Sequence, residues 1–201
     1  DGYNALQFAA KDSCYDLAKV LIEQGADVNL ADKHGRTVMD YAIDFSSPGF
    51  GGPIRAKMVY LLIKNGASIA LTVNKTNNPF SLLHWAMSYI SFPGQPGMSA
   101  SEQKKIEQAM VNIIIDKGGD INRLKFGETP LHSASNRGDL ELVRLLIEKG
   151  ADLNKKDEHG NTALHLAYSG YGKKRAIPLL VLNGADITCR DSSGKTALYY
   201  S

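Results

Sequence analysis

The chain has 201 residues, of which 43% are hydrophobic and 22% are charged, and its formal net charge at pH 7 is +2. So small a net charge argues against a nucleic-acid partner, because proteins that bind phosphate backbones carry strongly basic surfaces. The apolar runs are also too short to span a bilayer, and no leader of the secretory type is visible.

Cysteine usage bears on the compartment. Only Cys14 and Cys189 occur, and they lie near opposite ends of the chain. We expect no disulfide between them, which favours a reducing compartment. A cytoplasmic location is therefore expected, with the nucleus and the cytosol of a host cell left open.

Glycines recur along the chain at a regular interval. The sequence numbers of those that open each unit differ by 33, 92, 33 and 34 in turn; they are Gly2, Gly35, Gly127, Gly160 and Gly194. The numbers of those that close each unit differ by 41, 52, 32 and 34; they are Gly25, Gly66, Gly118, Gly150 and Gly184. Two independent landmarks that share one short period indicate a repeat protein.

Aligned on that period, the units read GYNALQFAA, GRTVMDYAI, PFSLLHWAM, GETPLHSAS, GNTALHLAY and GKTALYYS. The fourth unit resembles the ankyrin repeat, whose signature is T-P-L-H-x-A. The resemblance implies an all-α solenoid, one domain over residues 1–201, with about six stacked helix-turn-helix repeats. It places the repeats at 1–31, 32–75, 76–123, 124–156, 157–190 and, in part, 191–201. It also implies β-hairpin-like turns near Asp32, Asn122, Asp157 and Asp191.

The fourth unit shows why such repeats must stack. Thr129 is suited to cap a first helix, with Pro130 at its first position. A second helix should bury Leu140, Val143, Leu146 and Ile147 on one face and end at Gly150. Two helices this short are marginal alone, so each repeat is expected to share its core with its neighbours.

Two intervals between closing glycines exceed the period, and both excesses fall between an inner and an outer helix. The inserted segments are 46–53 and 90–101, both rich in Pro and Gly. One interpretation is surface insertion at little cost in stability. The other is a secondary partner contact that displays Phe50, Phe92 and Met98.

Histidines 84, 132 and 165 occupy equivalent positions in three repeats. A metal or catalytic ladder is one interpretation, but other repeats carry Gln7, Asp40 and Tyr199 there, so no row of ligands persists. The family resemblance implies instead that each imidazole bridges backbone groups of adjacent turns.

No motif for phosphate, metal or nucleophilic chemistry is present. The basic, Gly-rich run YSGYGKKR (168–175) lacks the strand-loop-helix context of a phosphate site. We therefore predict no catalytic, cofactor or metal site in this chain.

In the family that the chain resembles, partners contact the turn tips and the exposed face of the inner helices. Carried over to this sequence, the candidate partner-binding residues are Arg36, Phe45, Asn78, Phe80, Tyr89, Lys125, Phe126, Asn136, Arg137 and His159. We expect a monomeric scaffold that binds another protein and no nucleic acid. The alternative is a targeting or substrate-recruitment domain of a larger enzyme or secreted effector whose catalytic part lies elsewhere.

Members of the family are also hydroxylated on asparagine, which makes Asn29, Asn122 and Asn154 candidate modification sites. Each follows an Asp and a branched apolar residue. The alternative is that these side chains serve only to brace the turns by hydrogen bonds.

Overall fold

The computed structural model describes residues 3–43, 53–68, 99–124, 126–172 and 174–201. Within these ranges the chain forms nine α-helices and a terminal 3-10 helix, Ala197–Tyr200. The helices are α1 Ala5–Lys11, α2 Tyr15–Glu23, α3 Val38–Ala42, α4 Pro53–Lys64, α5 Ala100–Asp116, α6 Pro130–Arg137, α7 Leu140–Glu148, α8 Ala163–Ser169 and α9 Ile177–Leu182.

The inner helices start where a short polar residue can cap them. Asn4, Thr37, Thr129 and Thr162 precede α1, α3, α6 and α8 in extended backbone conformation. At each of these caps the third helical residue returns a side-chain hydrogen bond to the backbone N–H of the cap, which completes a capping box. The predicted start of α6, with its cap at Thr129 and Pro130 in first position, is confirmed.

The outer helices end at the glycines that close each unit. Gly25, Gly66, Gly118, Gly150 and Gly184 all have φ between 85° and 94°. A Cβ at any of them would meet no other atom within 4 Å, so the left-handed backbone alone requires glycine there.

The described residues fall into two compact units, one up to Gly119 and the other from Asp120 onward. In the first, α1 packs against α2 and α3, and α4 packs against α5. In the second, α6 packs against α7 and α8, and α8 packs against α9 and the 3-10 helix. Inner helices α1 and α6 thus each pack against the inner helix of the next repeat, α3 and α8, which confirms the stacked-repeat fold class.

The buried face of α7 matches the predicted one only at Val143 and Leu146. Leu142, Val143 and Leu146 are fully buried, whereas Leu140 and Ile147 are half-buried. Leu140 is the first residue of the helix, and Leu142 lies one full turn before Leu146 on the same face. The helix therefore turns Leu142 rather than Leu140 into the core.

The inner segment of the predicted third repeat, residues 79–87, lies outside the described residues, as do nearly all of the two inserted segments. The count of six repeats and the single domain over 1–201 therefore stay predictions. The first inserted segment does fall between helices as predicted, because α3 ends at Ala42 and α4 begins at Pro53.

Candidate protein-binding surface

An aspartate shapes the hairpin tip in three repeats. In each, the aspartate N–H donates to the carbonyl of the residue four places later, at 2.8–2.9 Å, which closes the predicted turn. Its Oδ1 accepts two further backbone N–H groups, from the residues two and four places on, at 2.7–2.9 Å. These residues are Asp32, Asp157 and Asp191, and the network holds each tip in one conformation.

Near Asn122, where the remaining hairpin-like turn was predicted, the structure shows a turn of a different kind. The Oδ1 of Asp120 accepts the N–H of Asn122 at 2.9 Å. The hairpin tip that follows in the sequence includes Lys125, which is outside the described residues.

The second carboxylate oxygen of the tip aspartates accepts from a side chain. Tyr41 donates to Asp32 Oδ2, and Tyr200 donates to Asp191 Oδ2, each at 2.5 Å. Burial raises the pKa of the Asp32 carboxyl, but hydrogen bonds from Tyr41 and from the Arg36 and His34 backbone outweigh it. The pKa of Asp32 is therefore held well below its usual range.

Sequence reasoning missed these tyrosines as part of the tips. The signal was present, because in both repeats a tyrosine follows the tip aspartate by nine positions. In the repeat of Asp157 the equivalent position is Leu166, and Asn161 Nδ2 donates to Asp157 Oδ2 instead, at 3.0 Å.

Arg36, a predicted partner contact, lies inside such a tip cluster. Its Nε donates to Asp32 Oδ2 at 3.2 Å, and its guanidinium stands 4.6 Å from the centroid of the Tyr41 ring. Tyr3 completes the cluster with an edge-to-face contact to Tyr41 at 5.2 Å. Arg36 therefore has a structural role, with about a third of its side chain (31%) left exposed to a partner.

Phe126 and His159 lie at the hairpin tips of successive repeats. Phe126 is 69% exposed and has φ of 49°, in the left-handed region. A Cβ on Gly127, the next residue, would lie 2.6 Å from the Glu158 side chain. His159 follows Glu158 and places its Nε2 3.6 Å from the Glu158 carboxylate. The backbone that carries the exposed Phe126 therefore approaches the tip that carries Glu158 and His159.

Asn136 and Arg137 lie elsewhere, at the far end of α6. Both are half-buried, and the Asn136 carbonyl accepts from Gly172 N–H at 2.9 Å. Helix α6 puts roughly 10 Å between its first and last residues along the axis. The structure thus separates these two from the tip residues. Five further predicted contacts lie outside the described residues: Phe45, Asn78, Phe80, Tyr89 and Lys125.

The repeated histidines bridge backbone groups, as the resemblance implied. His132 Nδ1 accepts from Thr129 N–H at 3.2 Å, so His132 Nε2 must donate to the Asn161 carbonyl at 2.9 Å. His165 makes the same pair of bonds, to Thr162 and to the Lys195 carbonyl. Burial lowers the pKa of His132, against the opposing effect of its hydrogen bond to Asn161. His84 is outside the described residues.

The candidate hydroxylation sites brace the long loops. Asn29 Oδ1 accepts Ser68 N–H, Asn122 Oδ1 accepts Asp152 N–H, and Asn154 Oδ1 accepts Asp186 N–H, each at 2.8 Å. Each bond joins one repeat to the loop of another. The bracing role is confirmed, and hydroxylation stays a prediction.

Metal binding and membrane insertion each place their own requirements on side chains and helices. Among the described residues, no group of three His, Cys, Asp or Glu side chains is placed to hold a metal ion. None of the helices that these residues form is both long and apolar enough to cross a bilayer. Cys14 and Cys189 are both free thiols in this structure.

Comparison with known proteins gives one family. A family model described as ankyrin repeats (3 copies) matches residues 1–73 and 98–191. The chain is 27% identical over 161 residues to the ankyrin repeat protein FPV244 of Fowlpox virus (strain NVSL), covering 80% of this chain and 20% of that protein. It is 25% identical over 181 residues to the E3 ubiquitin-protein ligase KEG of Arabidopsis thaliana, covering 76% of this chain and 11% of that protein.

A solved structure shares the fold. It is an ankyrin repeat domain from Acinetobacter baumannii AYE, with a TM-score of 0.64 at 23% identity, over 97% of this chain and 88% of that one. The chain spans about a fifth of the length of three of the curated relatives that it matches, FPV244 among them.

Proposed function

Because the chain belongs to the ankyrin repeat family, we propose that it is a protein–protein interaction scaffold whose partner docks on the hairpin tips and the adjoining inner helices. One observation carries the choice of surface. Phe126 exposes 69% of its area at a tip, in a backbone conformation that costs a non-glycine residue free energy. Exposed aromatic rings of this kind are typical anchors of protein interfaces.

The surroundings of Phe126 support an anchor role. The residue after it, Gly127, lies against the Glu158 side chain of the next tip, so a partner would meet an apolar centre with polar groups at its rim. The tips that carry Arg36 and His159 are fixed by the aspartate network, so these two residues would lose little chain entropy on binding. About a third of the Arg36 side chain remains exposed at its tip.

The remaining candidate contacts belong to the same proposal. They are Phe45, Asn78, Phe80, Tyr89, Lys125, Asn136 and Arg137. Asn136 and Arg137 would contribute from the far end of α6, and the two inserted segments would add secondary contacts. We propose binding by a single, cytoplasmic copy of the chain, with no catalytic turnover of its own.

The test begins with capture of the partner by the full chain, identified by crosslinking and mass spectrometry. Phe126→Ala should then weaken binding by at least about 1 kcal/mol, the scale of an interface hot spot. Leu182→Ala is the matched control, because Leu182 is 84% exposed but lies on the outer helix α9. If Leu182→Ala weakens binding as much as Phe126→Ala, the tip surface is the wrong one.

A second function is favoured by the lengths of the relatives. One of them is named as a ubiquitin ligase, of which this chain would cover only 11%. The repeats would then recruit a substrate to a catalytic domain beyond residues 1–201. Sequencing the complete gene and assaying its product with the captured partner would separate this function from that of a passive scaffold.

A further inference from the structure

The segment 170–176, between α8 and α9, is longer than its counterpart in the preceding repeat. The opening glycines of these two repeats, Gly127 and Gly160, differ by 33 in sequence number, whereas the closing glycines, Gly150 and Gly184, differ by 34. The extra residue falls in the run GYGKKR, which we call the basic loop (170–175). It lies at the opposite end of α8 from the hairpin tips.

Lys173 lies outside the described residues, and the main chain on either side of it is held in place. Gly170 N–H donates to the Leu166 carbonyl at 2.8 Å, Gly172 N–H to the Asn136 carbonyl at 2.9 Å, and Arg175 N–H to the Gly172 carbonyl at 3.1 Å. Gly172 is buried against Gly138 so closely that a Cβ on it would stand 2.4 Å from the Gly138 nitrogen. The loop is therefore anchored through backbone contacts that only glycines permit.

Its described side chains point the other way, into solvent. Tyr171 is 95% exposed, and Lys174 and Arg175 are both exposed. In the part of the chain that the structure describes, neither cation makes a side-chain hydrogen bond or an ion pair. Lys174 has only the Tyr168 ring below it, 5.6 Å from ammonium to centroid, and its φ of 61° is again left-handed.

We propose that Tyr171, Lys174 and Arg175 form a second interaction surface, which binds an acidic segment of a partner protein. The anchored backbone lowers the cost of ordering the main chain on binding, while two exposed cations and an exposed phenol supply charge complementarity and an apolar anchor. The surface is separate from the tips and does not depend on the function proposed for them.

The charges around the loop favour a narrow ligand over a membrane. Asp139 follows Gly138, which touches the loop, and Glu141 is exposed on the first turn of α7. A bilayer with anionic headgroups is a broad negative plane and would meet these carboxylates together with the cations. An extended peptide can reach the cations and avoid the carboxylates.

The experiment uses the full chain and a fluorescein-labelled octaglutamate peptide, followed by fluorescence anisotropy at low salt. Octaglutamine is the uncharged control peptide. The pair Lys174→Gln, Arg175→Gln should weaken octaglutamate binding at least about fivefold, and Tyr171→Ala should weaken it about threefold. Peptide binding should also protect the amides of residues 170–176 from hydrogen exchange.

The matched control removes two charges elsewhere in the same unit, by Arg144→Gln with Lys155→Gln. Both side chains are exposed, and neither belongs to the basic loop. Equal loss of binding in the two pairs, or no preference for octaglutamate over octaglutamine, overturns the proposal. Tighter binding to phosphatidylserine vesicles than to the peptide also overturns the proposal, if the Lys174→Gln, Arg175→Gln variant no longer binds the vesicles. None of these results bears on Phe126.

Discussion

At the scale of single residues, the third position of the inner helices α1, α6 and α8 does two things at once. Its side chain accepts the N–H of the helix cap and donates to the carbonyl of the following hairpin. His132 and His165 do this with two ring nitrogens. Gln7 does it with its amide, since its Oε1 accepts from Asn4 at 3.0 Å and its Nε2 donates to Leu30 and Arg36. In these helices the position requires a side chain that can both accept and donate a hydrogen bond, which an imidazole or an amide can do.

This equivalence predicts how substitutions of His132 behave. His132→Ala should destabilise the fold by about 2–4 kcal/mol, because it leaves a cavity and two unpaired backbone groups. His132→Gln should cost less than about 1 kcal/mol, since glutamine can repeat both bonds as it does at Gln7. Urea unfolding of both variants would test this, and equal losses would contradict it.

The same residue predicts a pH dependence. Burial lowers the pKa of His132 from its ordinary 6.5, so the folded chain resists a proton that the unfolded chain accepts. The stabilising contribution is complete above pH 6.5 and is lost as the pH falls toward the folded-state value. Urea midpoints between pH 7.5 and 5 should decline more steeply for the wild type than for His132→Gln. Parallel curves would show that another group is responsible.

Asparagine hydroxylation is a third prediction at this scale. Asn29 and Asn154 are exposed, although the Oδ1 of each is engaged by a backbone amide. Incubation with an asparaginyl hydroxylase should add one oxygen to peptides that contain them, and to Asn122 in lower yield. Asn65 and Asn183 lack the preceding Asp and serve as internal controls. An unchanged mass at all three candidate sites would contradict the assignment.

At the scale of elements, equivalent helices differ by what covers them. Leu17 in α2 corresponds to Leu142 in α7, counting back from Gly25 and Gly150. Leu142 is 1% exposed, whereas Leu17 is 44% exposed. Within the first unit, α2 packs against α1 and α4. The neighbours of α2 therefore leave nearly half of Leu17 uncovered.

This contrast predicts unequal effects of one substitution. Leu142→Ala should destabilise the protein by about 3 kcal/mol, within the range for fully buried leucines. Leu17→Ala should cost about 1 kcal/mol, since nearly half of that side chain already meets water. Chemical denaturation of the two variants compares them directly. A cost for Leu17→Ala that equals that for Leu142→Ala would mean that a further element covers α2.

The sequence was sufficient for elements whose signals are local. Thr129 with Pro130 located the start of α6, and Gly150 located the end of α7. The sequence did not predict that Leu142 is buried in α7 while Leu140 and Ile147 are only half-buried, because the helix start fixes which side chains turn inward. The exposure of Phe126 follows from its place before a tip glycine. The structural role of Arg36 could not be predicted, since it depends on where the Tyr41 ring meets Asp32 in space.

At the scale of the whole molecule, one rule of contact recurs within both compact units. A side chain of an inner helix holds the hairpin of the repeat that follows it. Gln7 reaches residues 30 and 36, His132 reaches residue 161, and His165 reaches residue 195. The Asn29, Asn122 and Asn154 bonds run in the same sense, each to a loop later in the chain.

Each of these contacts joins a side chain to a backbone group that comes later in the sequence. The ribosome therefore makes the side chain before the group that it binds. Each helix that provides a holding side chain is synthesised before the hairpin it holds. A repeat that has just emerged can therefore dock on a neighbour that is already formed, while its own histidine or glutamine still bonds to water. Synthesis in this order never leaves a finished hairpin waiting for its support, so nascent chains should gain structure one repeat at a time.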